Sequence, residues 1–135
     1  MDLPCISMTG APSRPIRVLI ADDHRLFAEA LDAILVMDPR ISVVGRAGDG
    51  RQAVRLAAEL QPDVVLMDLD MPLLDGIEAV CAIRAGRPGA RILMLTGSNA
   101  RADVDRARDA GAAGYVTKDR VAAELISAIV EVAAR

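Results

Sequence analysis

Tryptophan is absent, and Phe27 and Tyr115 are the only phenylalanine and tyrosine among 135 residues. Lysine is as scarce: Lys118 stands alone, and the rest of the positive side-chain charge at neutral pH is arginine. In a chain so biased toward Arg and Ala, single exceptions call for a reason. Cysteine is limited to Cys5 and Cys81, without CxxC spacing, which suggests neither a disulfide framework nor a zinc site. Basic charge is not in excess; the net charge of −3 argues against a chain that grips nucleic acid or an anionic membrane by bulk charge. No apolar run approaches the ~20 residues that span a bilayer, so a membrane-spanning chain is not expected. Met1 to Pro15 carries one arginine, Arg14, and lacks the basic-then-apolar order of a signal peptide. What is present is one domain's worth of chain, 53% apolar, expected to be cytoplasmic.

Residues 1–15 hold Pro4, Pro12 and Pro15 among Ser, Thr and Gly, without periodicity, and read as an extended tail. An alternation follows over 16–135. Short β-branched or apolar runs occur at 16–21, 41–45, 64–67, 91–95 and 114–117, stopping at Asp22-Asp23, Gly45, Asp68, Thr96 and Lys118. Such runs predict strands buried on both faces. Between them lie helical stripes: Phe27, Leu31, Ile34 and Leu35; Ala53, Ala57 and Leu60; Ile77, Val80 and Cys81 behind a capping Asp75; Ala100 to Ala110, ending at Gly111; and Leu125, Ile129 and Val132. Alternating strands and helices predict an α/β fold, a doubly wound, flavodoxin-like parallel sheet of five strands in the order 2-1-3-4-5 with five helices. The fourth helix has little to bury beyond Val104 and alanines, so it is expected to be mobile or held by a partner.

In such a sheet, ligands bind beyond the carboxyl ends of the strands where the order reverses. The sequence delivers Asp22 and Asp23 there from strand one, Asp68 from strand three, Thr96 from strand four and Lys118 from strand five. Three carboxylates in one crevice do not stay ionised together without a cation, and hard oxygen ligands suit Mg²⁺. A hydroxyl and an ammonium opposite them suit a phosphoryl oxygen. Taken singly, Asp22 could be a helix cap, Thr96 a turn residue and Lys118 a solvated charge. Together on one sheet edge they read as a site for Mg²⁺ and phosphate.

The stretches Ala21-Asp22-Asp23-His24, Met67-Asp68-Leu69-Asp70-Met71-Pro72, Asp75-Gly76, Leu95-Thr96 and Gly114-Tyr115-Val116-Thr117-Lys118 resemble the receiver domain of bacterial two-component response regulators. The likeness runs from about residue 16 to 134, and the stretches 43–50 and 110–115 look like the NarL/FixJ branch. The resemblance implies Asp68 as phosphoacceptor for a sensor histidine kinase. It implies Asp22, Asp23, Asp68 and the backbone carbonyl of Asp70 around Mg²⁺, with Asp22 acting largely through water. Lys118 would hold phosphoryl oxygens, Thr96 would turn toward them, and Tyr115 would follow inward as an aromatic switch. A new charge of about −1.5 to −2 is enough to bias a two-state element.

Three features depart from the pattern: Asp119 after the lysine in place of a common proline, the extra carboxylate of Asp70, and the polar fourth helix. The chain begins at Met1 and closes with the fifth helix, which predicts a stand-alone receiver, with no direct binding of nucleic acid by this chain. It would dock on a downstream protein or a larger protein assembly, with a homodimer left open. The chemistry expected is self-catalysed phosphoryl transfer and slow autodephosphorylation, not enzyme turnover. Three alternatives stand beside this reading. One is a receiver-fold subunit of an assembly in which phosphorylation is secondary; another is a truncated receiver of a DNA-binding regulator. The last is a phosphatase of the haloacid-dehalogenase type, suggested by Asp68-Leu69-Asp70 but opposed by the early Asp22-Asp23 pair and by Pro72.

Overall fold

A computed structural model of the chain describes residues 14–69, 71, 76–97 and 101–134. Of the expected tail at 1–15, Arg14 and Pro15 fall within this range; Asp70, Asp75 and the side chain of Ile77 lie outside the described residues.

Strands β1 (Ile16–Ala21), β2 (Ile41–Ala47), β3 (Val64–Asp68), β4 (Arg91–Thr96) and β5 (Gly114–Thr117) alternate with helices α1 (Arg25–Val36), α2 (Gly50–Leu60), α3 (Gly76–Gly86), α4 (Arg101–Ala110) and α5 (Val121–Ala133). All pairings are parallel, and the sheet order is β2-β1-β3-β4-β5, as the strand and helix periods predict. Between β1 and β2 the register shifts by one residue at Val18/Leu19, and β2 runs on to Ala47, beyond the expected stop at Gly45.

Strand side chains alternate between two cores. Leu19, Val65, Met67, Ile92 and Met94 face α2, α3 and α4, which answer mostly with small residues such as Ala53, Ala57, Ala79 and Ala107. Val18, Ile20, Leu66, Leu93 and Leu95 face α1 and α5, which bring Leu31, Leu35, Leu125 and Ile129. Burial on both faces holds for β3 throughout and for most of β1 and β4. It fails for β2 and β5, which are half-buried because each has a neighbour on one side only. Cys81, expected beside Val80 on the inner face of α3, is exposed; Ala79, Val80 and Ile83 form that face instead. In α4 the buried residue among those described is Ala107, while Val104 is half-buried.

Helix ends follow local chemistry. Asp49 caps α2 by accepting the Gln52 N–H at 2.8 Å, and Gln52 Oε1 reaches past the cap to accept the Gly48 N–H at 2.6 Å. Gly111, at φ 110°, ends α4 in a conformation that side chains with a Cβ resist. With β1 and β3 adjacent, the loops after them open a crevice at the carboxyl edge of the sheet.

Candidate functional site

Each candidate residue sits where a strand ends. Asp68 is the last residue of β3, paired in register with Leu95, and the Leu69 N–H continues the ladder to the Leu95 carbonyl at 3.0 Å. Thr96 closes β4 beside Thr117, the last residue of β5, and Lys118 begins the short 3₁₀ turn Lys118–Arg120. Asp22 follows β1, and its own N–H reaches the Ala47 carbonyl at 3.0 Å. Its Oδ1 accepts the His24 N–H at 2.7 Å, bending the chain into α1. Asp22 is therefore not the cap of α1; His24 holds that position.

The crevice gathers a buried Asp22, a buried Asp68 and an exposed Asp23, with one oxygen from each within 4.8 Å of the others. Lys118 Nζ donates to Asp68 Oδ2 at 3.2 Å and stands 3.9 Å from Asp22 Oδ2. Its side chain is only 29% exposed, so the solvated-charge alternative does not describe it. Thr96 is buried, whereas the Tyr115 side chain lies outward, the residue 42% exposed. Asp70, the remaining residue of the expected set, lies outside the described residues.

The donor set fits a hard divalent cation. Asp22 Oδ2 is buried without a hydrogen-bond partner, with Lys118 Nζ 3.9 Å away, an arrangement that a cation bound among the acids would relieve. Three carboxylates against one ammonium leave the group net negative, and carboxylate oxygens are what Mg²⁺ selects.

One contact escaped the sequence reading. Phe27, assigned there to the inner stripe of α1, has a half-buried ring with Lys118 Nζ 5.0 Å from its centroid. The available signal was its place one turn after Asp23, at the site end of α1.

Comparison with known proteins bears on the family and the fold. The family model described as response regulator receiver domain matches residues 18–130. The nitrate/nitrite response regulator protein NarP of Escherichia coli is 42% identical over 115 residues, 85% of this chain and 54% of that protein. A protein-glutamate methylesterase/protein-glutamine glutaminase of Myxococcus xanthus is 49% identical over 111 residues, 80% of this chain and 31% of that protein. The chain thus spans about half, or less, of these relatives. Among solved structures, the signal receiver domain of NarL from Mycobacterium tuberculosis superposes with a TM-score of 0.86 at 35% identity, covering 90% of this chain and 98% of that one. With the fold, the sheet-edge acids and a family match over most of its length, the chain belongs to the response regulator receiver domain family.

Proposed function

We propose that this chain is a phosphorylation-dependent signalling module: Asp68 accepts a phosphoryl group from the phosphohistidine of a sensor histidine kinase, and the modified domain docks on a downstream protein or larger assembly. The observation that carries the reading is the 3.2 Å contact between Lys118 Nζ and the buried Asp68 carboxylate, inside a cluster of acids. An ammonium already at the acceptor is placed to meet the charge that the acceptor gains.

Asp22, Asp23 and Asp68 would hold Mg²⁺, together with the Asp70 carbonyl that the family resemblance implies. When bound, the ion neutralises the oxygens of a transferring phosphoryl group. The chain's own residues do the rest. An Asp68 carboxylate oxygen attacks phosphorus, an O–P bond forms, and the P–N bond to the donor imidazole breaks with its electron pair leaving on nitrogen. The product is an acyl phosphate on Asp68. Lys118 follows the phosphoryl oxygens as a compact cation. Thr96 turns its hydroxyl toward them, and Tyr115 follows inward from its exposed position. Leu26, 75% exposed in the first turn of α1, offers apolar surface to the phosphodonor three residues after Asp23.

The module is read as cytoplasmic, as its family resemblance implies; among the described residues no helix is long and apolar enough to cross a membrane. It is read as a single-turnover phosphoryl acceptor rather than an enzyme. The role of subunit in a larger assembly draws on α4, whose described residues bury Ala107 alone against the domain.

The test is mass spectrometry of the intact protein after incubation with acetyl phosphate and Mg²⁺. One base-labile phosphoryl group is expected on the native chain and none on Asp68→Asn. Full labelling of that variant would overturn the assignment. Continuous turnover of a small phosphomonoester would restore the phosphatase alternative.

A further inference from the structure

Phe27 and Lys118 come from opposite ends of the chain, α1 and the turn after β5, and meet at the mouth of the crevice. The ring is half-buried and packs on the core shared by α1 and α5, so its position is fixed from below. Above it lies the ammonium, 5.0 Å from the centroid and 3.2 Å from Asp68 Oδ2. A lysine has four rotatable side-chain bonds, and holding its end at one point costs entropy unless something restricts the alternatives. The negative face of an aromatic ring attracts a cation that has lost part of its water. It does so without the fixed direction of a hydrogen bond.

We infer that Phe27 is a positioning residue for Lys118, a platform that keeps the ammonium aimed at Asp68. The inference rests on the phosphoacceptor reading above for its functional consequence, but the contact itself can be measured independently. A purely structural Phe27 would need only its volume, and leucine would serve nearly as well. A platform needs the ring.

Because Lys118 is the only lysine, protein grown with isotope-labelled lysine gives a single set of side-chain signals. In the native chain the Lys118 ε-CH₂ protons should be shifted upfield by the Phe27 ring. Phe27→Leu should abolish that shift and slow acetyl phosphate labelling about three- to tenfold, the range expected for a cation–π contact of moderate strength. Phe27→Tyr, which keeps the ring, should restore both the shift and the rate. Melting curves identify the temperature range in which each variant is folded, and Phe27→Met supplies a second apolar replacement if leucine packs poorly. A ring-free variant that labels at the native rate would overturn the inference, as would Leu and Tyr variants that are equally slow. Native protein that never labels would instead sink the phosphoacceptor reading. In that event the Lys118 signals decide: unchanged signals in Phe27→Leu would sink the platform as well.

Discussion

Lys118 Nζ lies between two acids, 3.2 Å from Asp68 Oδ2 and 3.9 Å from Asp22 Oδ2. A point charge fits there; a planar guanidinium has five N–H groups to place and a wider head to accommodate. Lys118→Arg should therefore impair switching almost as severely as Lys118→Ala. With no tryptophan in the chain and Tyr115 as the only tyrosine, intrinsic fluorescence follows Tyr115 alone. A native-like fluorescence change on phosphorylation of Lys118→Arg would show that charge suffices without fit.

Asp22→Asn keeps an oxygen for the His24 N–H while deleting the charge on the buried Oδ2, which lacks a hydrogen-bond partner and lies 3.9 Å from Lys118 Nζ. Repulsion within the acid cluster should fall, so the variant should melt a few degrees above the native protein in the absence of divalent ions. The same change removes part of the cation site, and the rise in melting temperature that Mg²⁺ gives the native chain should be lost or strongly reduced. An undiminished Mg²⁺ effect would remove Asp22 from the ligand set.

Asp63 accepts both terminal nitrogens of Arg14, at 2.9 and 3.0 Å, and the Arg17 N–H at 2.8 Å. Partial burial works to raise its carboxyl pKa. The Arg14 hydrogen bonds, the Arg17 N–H and the charges of both arginines outweigh it, leaving the carboxyl below its ordinary value. A carboxyl with a depressed folded pKa contributes stability that is full above its unfolded pKa of about 3.9 and is lost as pH falls through the folded value. Asp63→Asn should therefore melt below the native chain at neutral pH, and the gap should close as the pH drops below about 4. A gap independent of pH would assign the loss to packing.

At Gly111 the backbone has φ 110°, and a Cβ would meet Arg84 Nε at 2.5 Å and Cδ at 2.6 Å. Gly111→Ala should cost at least about 1–2 kcal/mol in denaturant unfolding, the scale of a left-handed L-residue. Arg84→Ala in the same chain should recover the steric part and leave the backbone part. Complete recovery would show that the glycine serves only to make room.

Regular periods made the strands, helices and sheet order legible, because core strands such as β3 are apolar throughout and α5 repeats Leu125, Ile129 and Val132 on one face. The sheet-edge acids were legible for a related reason: strand ends are marked by the first polar residue, and the topology brings those ends together. Features that depend on neighbours were not. The partial exposure of β2 and β5 follows from their edge positions, and Cys81 is apolar enough to pass for an inner residue beside Val80. The contact of Phe27 with Lys118 joins residues with no sequence relationship, so only the packed chain reveals why both singletons matter together.

The clamp of Arg14 on Asp63 gives the domain a handle and a working end. Asp63 stands immediately before β3 and Asp68 at its finish, five residues or roughly 17 Å apart at about 3.3 Å per residue. Arg14 therefore sits at the amino end of β3, the end remote from Asp68. A label carried at Arg14 would report from the end of β3 opposite the phosphoacceptor, on a point that the Arg17 N–H bond to Asp63 ties to both β1 and β3.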